Sequence, residues 1–329
     1  MFEVLRLKDI DINKLIGETI YVKALVSKVD IKPTRNSQEY LLATITDQTN
    51  KVGVKMWNVK EADKSALVSG NVYEMTLSVE SWEGKASCII KGYRRLDEKA
   101  YDYIEKVSNA EYYVEVIKNA INLIDHDSIY YSLVVSLVNT DIMEKMMMHP
   151  AASAHHHNII GGLIMHTGTM LRTGYALAQV YKLDVNLVLA GIILHDIEKL
   201  NELSCSYETG EIKYTVEGSL YGHIVMACLE IDKAAALLGV EDTEEVKLLK
   251  HCVLAHHGKK EWGSPIEPAI PEALLIHYLD GLDAEMYKMN HIISHMESGT
   301  VGYEFGKVIY KQEERIEVPD TEDKEETNL

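Results

Sequence analysis

The pattern of apolar residues changes once along this chain, near Asp97, and that change determines its architecture. From Ile20 to Arg95, short β-branched segments, many of them alternating apolar and polar residues, are separated by turn residues. Beyond Asp97 the apolar residues recur at helical spacing. A length of 329 residues also favours two domains. We therefore expect two domains of different class, at residues 1–96 and 97–310.

The first domain is predicted to contain five strands, with one helix between the third and the fourth. The strands are IYVKALVSKVD, YLLATITD, KVGVKMWN, NVYEMTLSVESW and KASCIIKGYRRL, and the helical segment is VKEADKSALV. This order is typical of an OB-fold, an all-β barrel that binds oligonucleotides. Another small five-stranded barrel or sheet is the alternative.

The second domain is predicted to be an all-α helical bundle. Segments with helical spacing cover 110–124, 128–147, 161–181, 185–201, 219–238, 242–256 and 271–296. Residues 311–329 contain 8 acidic and 3 basic residues, so we expect a solvated or disordered tail. No segment approaches the roughly 20 apolar residues of a membrane helix, and the N-terminus does not resemble a signal peptide. The sequence indicates a cytoplasmic protein that does not bind membranes.

The net charge of −18 argues against a protein that binds nucleic acid through its overall charge, but the charge is unevenly distributed. Residues 1–96 contain 15 basic and 12 acidic side chains, whereas residues 97–329 contain 18 basic and 39 acidic ones. Only the first domain can therefore offer a polyanion a broad neutral-to-basic face. The four cysteines form no C-x-x-C pair, which excludes a zinc knuckle.

A histidine, an aspartate and a lysine stand at the end of the most apolar helical segment. The run LVLAGIIL ends in His195 and Asp196, and Lys199 follows within one helical turn. Unpaired buried charges are costly, so these side chains need partners. A metal ion with a nearby phosphate would satisfy all three, and an internal ion pair between Asp196 and Lys199 is the alternative.

Further candidate ligands stand singly on other helical segments. They are His166 in GGLIMHTGTML, His223 in SLYGHIVMA, His256 and His257 in VLAHHG, and Asp280 in LIHYLDGLDAEM. Together with the first pair they give the order H, HD, H, HH, D. Imidazoles with a carboxylate that can bridge two ions suit Mn best, with Fe or Mg as alternatives.

The order of these ligands resembles that of the HD superfamily of metal-dependent phosphohydrolases, over roughly 111–310. Four segments are similar to segments of the YhaM family: HHNIIGGLIMHT, AGIILHDIEKL, VEGSLYGHI and LAHHGKKEWGSPIEPAIPEALLIHYLDGLDAEM. Members of that family are bacterial 3′-to-5′ exoribonucleases with an OB domain before the HD domain. One position departs from the usual HD-x-G-K pattern, because Glu198 stands where the glycine would be.

The resemblance implies two divalent metal ions, with Mn favoured. His166, His195, Asp196 and Asp280 would hold the first ion, and Asp196 would bridge to a second ion held by His223 and His256. Asp196 and Lys199 would be the catalytic residues, with Lys199 placed against the scissile phosphate, where negative charge gathers during hydrolysis.

Substrate contacts are predicted less directly. His156, His157 and His257 are candidates for the substrate channel, although satisfied polar side chains explain them as well. In KVGVKMWN, Lys51, Lys55 and Trp57 share one face of a strand. An outward tryptophan beside lysines suits a base-stacking contact with single-stranded RNA or DNA, and packing on the helix of residues 59–66 or on the second domain is the alternative.

We therefore expect a 3′-to-5′ exonuclease that acts on single-stranded RNA, with single-stranded DNA as a second candidate substrate. The rivals are an HD phosphohydrolase that acts on a free nucleotide or cyclic dinucleotide, and a non-catalytic single-strand-binding protein disabled by Glu198. The apolar faces of the helical domain also make a homo-oligomer an expectation, with its stoichiometry open.

Overall fold

The computed structural model describes residues 3–34, 38–82, 84–152, 159–294, 296–304 and 306–313. The chain divides into two compact units. One comprises Met1–Lys106 and Cys205–Ile212, and we call it the barrel unit. The other comprises Val107–Ser204 and Lys213–Leu329, and we call it the helical unit.

Five long strands form the barrel. The elements in chain order are β1 (Val4–Leu5), β2 (Thr19–Pro33), β3 (Glu39–Thr46), β4 (Lys51–Met56), α1 (Glu61–Ala66), β5 (Val72–Trp82) and β6 (Lys85–Leu96). Pairing runs from β2 through β3, β4 and β6 to β5, and β5 pairs back with β2 to close the barrel. The five-stranded N-terminal barrel is confirmed, and its strand and helix order is that of an OB-fold.

Alternating side chains fill the inside of this barrel. In β4, Val52, Val54 and Met56 are buried, as the period of two predicts. The buried Tyr73 also fixes α1, because its hydroxyl donates to the Ala66 carbonyl at 2.8 Å and accepts from the Val68 N–H at 3.0 Å. The end of α1 is therefore tied to the barrel core.

The helical unit packs around one buried helix. Its helices are α2 (Ala110–Leu123), α3 (Ile129–Leu137), α4 (Thr140–Met148), α5 (Gly162–Tyr181), α6 (Val185–Leu194), α7 (Lys199–Glu202), α8 (Val216–Leu238), α9 (Glu244–Ala255) and α10 (Pro271–Ser294). Every residue from 187 to 194 in α6 is buried. None of the described helices is long and apolar enough to cross a lipid bilayer.

Two predicted helical segments are each interrupted once. Segment 128–147 divides into α3 and α4, because the Asn139 side chain accepts from the Ile142 N–H at 3.0 Å and caps the second helix. Segment 185–201 divides after Leu194, where the chain turns through residues 195–198 before α7. The side chains that the sequence analysis singled out at this point therefore lie in a tight turn at a helix end.

The expectation that everything after Asp97 is α-helical needs correction at two places. Hairpins form from β7 (Leu203–Cys205) with β8 (Ile212–Tyr214), and from β9 (Val301–Glu304) with β10 (Lys307–Tyr310). These strands have only three or four residues, too few for a clear alternation of apolar and polar side chains. The predicted tail lies outside the described residues from 314 onward.

Gly218 marks the closest approach between α7 and α8. A Cβ atom at this position would lie 2.2 Å from the Glu202 carbonyl oxygen, which is a backbone atom that cannot rotate away. We expect Gly218→Ala to lower the free energy of unfolding by about 1–3 kcal/mol, the usual cost of overpacking.

Gly281, inside α10, is the matched control, because a Cβ atom there meets nothing within 4 Å. Gly281→Ala should stabilise the protein by about 0.5–1 kcal/mol through helix propensity alone. Urea unfolding followed by circular dichroism at helical wavelengths compares the two variants. Equal effects would contradict the packing described for Gly218.

Candidate metal centre

The buried helix α6 delivers two polar side chains into the middle of the helical unit. His195 is 0% exposed and Asp196 is 1% exposed. The His195 N–H still donates to the Gly191 carbonyl at 2.9 Å, and the Lys199 N–H donates to the Asp196 carbonyl at 3.0 Å. The turn therefore stays tight, and the side chains at positions 195, 196 and 199 lie within one turn of each other at the end of an apolar helix.

One oxygen of the Asp196 carboxylate, Oδ2, has close polar neighbours. The Lys199 ammonium donates to Oδ2 at 2.6 Å, so the ion pair considered from the sequence is present. His195 Nε2 lies 3.2 Å from Oδ2, and His166 Nε2 lies 3.6 Å from it. Asp280 Oδ1 in turn lies 3.4 Å from His166 Nε2.

The other oxygen, Oδ1, is surrounded by histidines but has no hydrogen-bond partner. His223 Nε2 lies 3.2 Å from Oδ1 and His256 Nε2 lies 3.6 Å from it. All three atoms are buried without a partner. Buried polar atoms are nearly always satisfied in folded proteins, and an ion is a usual explanation when they are not. The ion pair with Lys199 therefore accounts for only half of this carboxylate.

The ligand atoms fall into three overlapping groups, each compact enough to hold a metal ion. His166, His195 and Asp280 form one group, and His223, His256 and His257 form another. The third group, His195, Asp196 and His256, joins them. The structure thus brings together every predicted metal ligand, and it adds His257, which the sequence analysis placed among candidate substrate contacts.

Each histidine of the cluster is oriented by a contact at its other ring nitrogen, Nδ1. His166 Nδ1 lies 2.6 Å from Asp283 Oδ2, and His223 Nδ1 lies 2.9 Å from Glu202 Oε1. The remaining partners are the carbonyls of Ile192 for His195 (2.8 Å), Val253 for His256 (2.7 Å) and Trp262 for His257 (2.9 Å). An Nδ1–H held in this way leaves Nε2 free to bind a metal.

Glu202 and Asp283 are functional candidates that the sequence analysis missed. Glu202 is 7% exposed and also accepts from the His223 backbone N–H at 3.0 Å. A signal existed for both, because each acid stands one helical turn after a residue already singled out, Lys199 and Asp280 respectively.

Protonation differs across the cluster. Burial lowers the pKa of His166 and of His223, but Asp280 and Asp283 outweigh burial and raise that of His166 to about 10, and Asp196 and Glu202 raise that of His223. A metal ion must therefore displace a proton from each of these two histidines.

Asp196, His256 and His257 are already in the form that binds a cation. Burial raises the pKa of Asp196, but the charges on His195 and Lys199 outweigh burial and hold that pKa well below its usual range. Burial, with His195 and His257 nearby, lowers the pKa of His256 well below its usual value, and burial also lowers the pKa of His257. An ionised carboxylate and neutral imidazoles are the forms that bind metal ions.

Glu198 neither lies in solvent nor faces the ligand cluster. It is 9% exposed, accepts from the Asn201 amide at 2.7 Å, and has Glu230 and Lys233 as its charged neighbours. Burial raises the pKa of Glu198. The departure from the HD-x-G-K pattern therefore does not place a carboxylate against the position of a phosphate.

A cavity of about 540 Å³ opens beside the ligand cluster within the helical unit. Its lining includes Lys199, His223 and His257, so the ligand cluster and the buried lysine are accessible from it. His156 and His157, the other candidates for a substrate channel, lie outside the described residues.

The predicted nucleic-acid contacts lie on the barrel unit. Trp57 directly follows β4 and is 44% exposed, and its ring centroid lies 4.9 Å from that of Tyr40. Lys51 is exposed, while Lys55 is half-buried and donates to the Ser87 hydroxyl at 3.3 Å. The outward face inferred for β4 is thus observed, with Tyr40 as an aromatic partner.

The unpartnered atoms predict that the cluster binds a divalent cation. Added Mn²⁺ should raise the melting temperature, because an ion that binds only the folded state at about 100 times its Kd contributes about 2.7 kcal/mol. His256→Ala should remove most of that shift and lower the bound metal found by elemental analysis. His126→Ala is the control, since that histidine stacks on Tyr131 away from the cluster. If His256→Ala keeps the full shift in melting temperature, as the control should, the assignment is wrong.

Comparisons with known proteins agree with this geometry. The family model described as HD domain matches residues 163–285. The protein named 3′-5′ exoribonuclease YhaM from Geobacillus sp. (strain WCH70) is 33% identical over 306 residues, which cover 91% of each chain. Its namesake from Bacillus subtilis (strain 168) is 31% identical over 296 residues, or 86% of this chain and 90% of that protein.

Among solved structures, the second OB-fold domain of replication protein A from Methanococcus maripaludis is 11% identical and covers 30% of this chain and 98% of its own, with a TM-score of 0.22. The barrel assignment rests on strand order and not on this likeness. At this identity and coverage of the YhaM proteins, the chain belongs to the YhaM family and carries an HD domain at residues 163–285.

Proposed function

We propose that this protein is a metal-dependent 3′-to-5′ exonuclease that hydrolyses single-stranded RNA, and also single-stranded DNA. The observation that carries the proposal is the set of unpartnered atoms around Asp196 Oδ1, which lies beside an open cavity. The YhaM relatives, named 3′-5′ exoribonucleases, supply the direction of digestion and the choice of RNA.

Two ions, with Mn favoured, match the charge of the cluster. Asp196, Glu202, Asp280 and Asp283 contribute four negative charges around the histidines, and Lys199 contributes one positive charge. With neutral imidazoles the net charge is −3, and two divalent ions change it to +1. A site of that charge is complementary to the single negative charge of a phosphodiester.

The first ion would be held by His166, His195, Asp196 and Asp280. The second would be held by Asp196, His223 and His256, with His257 as a further ligand, since His257 belongs to the same group as His223 and His256. Such a pair supplies an activated water and stabilises the charge on the attacking and leaving oxygens.

The remaining chemistry falls to Lys199. Its ammonium lines the cavity while bonded to Asp196, and its pKa is raised, because the charges of Asp196 and Asp280 outweigh its burial. It therefore stays protonated and can stabilise negative charge on the phosphate in the transition state. Water adds to phosphorus, the bond to O3′ breaks and O3′ takes up a proton, so each step releases a nucleoside 5′-monophosphate.

The barrel would hold the strand while the helical unit cuts it. Residues 1–96 carry a net positive charge, 15 basic against 12 acidic side chains, whereas residues 97–329 contain 18 basic and 39 acidic ones. Trp57 and Tyr40 present aromatic surface near Lys51 and Lys55, which suits bases that stack and a backbone that needs cations. The position of Glu198 away from the cluster removes the main argument for a disabled, non-catalytic protein.

The test of this function is an assay with labelled single-stranded RNA, duplex RNA, mononucleotides and cyclic dinucleotides. With Mn²⁺ we expect stepwise shortening of the single strand from its 3′ end, and EDTA should stop it. Asp196→Asn should abolish the reaction, because a neutral amide cannot bridge two cations. Hydrolysis of the small nucleotides with intact RNA would favour the small-nucleotide phosphohydrolase instead.

Lys199→Ala separates the phosphate contact from metal binding in the same assay. This variant should retain its metal and lose rate, about 100-fold or more if Lys199 supplies electrostatic stabilisation comparable to one oxyanion-hole donor. Loss of the metal or of the fold would instead indicate that the ion pair with Asp196 is structural.

The role of the barrel is tested by Trp57→Ala. Stacking on a base contributes about 1–3 kcal/mol, so Kd for single-stranded RNA should rise about 5- to 150-fold. Fluorescence anisotropy with EDTA present measures binding without cleavage. Ile16→Ala is the control, because that side chain is equally exposed in the same unit. An unchanged Kd for Trp57→Ala would rule out this face as the RNA contact.

A further inference from the structure

The cavity beside the ligand cluster has a second set of lining residues that the proposed chemistry does not use. Tyr214, Tyr221 and Trp262 line it, and they are 55%, 57% and 57% exposed. Large aromatic side chains are usually buried, because they contribute more apolar surface than other residues. Three of them around one cavity leave a broad aromatic surface open to a ligand.

We propose that Tyr221 and Trp262 form a stacking platform for the terminal base of the strand, and that this platform binds the base without reading its identity. The inference rests on the proposed function, because it concerns the nucleotide whose phosphate reaches the ligand cluster. Aromatic side chains stack on any base, since every base has a π-face.

The backbone of Trp262 contacts a histidine of the ligand cluster. The Trp262 carbonyl lies 2.9 Å from Nδ1 of His257, and His257 belongs to a group of residues that could hold a metal ion. The Lys259 ammonium lies 4.7 Å from the centroid of the Trp262 ring, in a cation–π contact that steadies the ring. The backbone of Trp262 is therefore tied to a histidine of the ligand cluster, and its ring to a neighbouring lysine.

Tyr221 is tied to the cluster through the backbone of α8. Gly222 follows it with φ 72° and ψ 154°, a non-helical conformation that kinks the helix, and the ligand His223 comes next. Positive φ is easily adopted only by glycine. Tyr221 and His223 stand on either side of this kink. Tyr221 is exposed and His223 is buried, and both line the cavity.

The polar lining argues against recognition of a particular base. Among the cavity-lining residues that the structure describes, none is Asn, Gln or Arg, the side chains that make paired hydrogen bonds with base edges. Lys199 is assigned to the phosphate, and both carboxylate oxygens of Glu202 lie within 3.0 Å of His223 Nδ1, so neither side chain is left to read a base. A volume of about 540 Å³ also suits a small ligand such as a nucleotide.

Calorimetric titration of the Mn²⁺-loaded, full-length protein with nucleoside 5′-monophosphates and with ribose 5-phosphate tests the platform. The four nucleotides should bind alike, and about 5- to 150-fold more tightly than ribose 5-phosphate, which lacks a base. Trp262→Ala and Tyr221→Ala should each lose most of that advantage while binding ribose 5-phosphate unchanged. Trp262→Phe and Tyr221→Phe, which keep a ring, should retain most of it.

Tyr181→Ala is the matched control, because Tyr181 is 66% exposed at the end of α5 and does not line the cavity. The inference is overturned if the wild-type protein binds no nucleotide, if it binds ribose 5-phosphate as tightly, or if the alanine variants keep the advantage. A strong preference for one base would show that the site reads the identity of the base, and that part of the proposal would be wrong. Failure to shorten RNA, with the platform results as expected, would overturn the proposed function alone.

Discussion

The burial of an ionised carboxylate is the constraint on which the helical unit depends. Asp196 is almost fully removed from water at the end of α6, and removing a charge from water costs several kcal/mol unless partners compensate. Lys199 compensates one oxygen, and the other faces the Nε2 atoms of His223 and His256, which have no hydrogen-bond partner. The helices that pack on α6 are therefore arranged around a charge as well as around an apolar core.

Much of this could be predicted from sequence, because each signal was local. Strand alternation and turn residues gave the barrel, and apolar spacing gave the helices to within a few residues. The candidate ligands were recognisable because an apolar run that ends in His195 and Asp196 requires partners for these polar side chains, of which the ion pair with Lys199 supplies only one. The roles of Glu202 and Asp283 were not predicted, because an acid that orients a histidine is defined by a contact between distant segments.

The two short hairpins and the role of Trp262 were beyond sequence reasoning for a similar reason. A strand of three or four residues has no measurable period, and a tryptophan in a loop has none either. Trp262 gains significance only from its carbonyl contact with His257 and its position on the cavity. The parts of a site that act through neighbours become visible only when the fold is known.

The wide separation of the ligands along the chain has a consequence for how the protein matures. His166 and its orienting acid Asp283 are 117 residues apart, so a ribosome must complete nearly the whole helical unit before this pair can meet. Contacts of such long range form late in folding, because closing a long loop costs entropy first. In a partly synthesised chain, these ligand atoms have not yet come together, so the complete metal-binding site does not exist. An ion that needs ligands from both ends of the cluster can therefore bind only after synthesis of the helical unit is nearly complete.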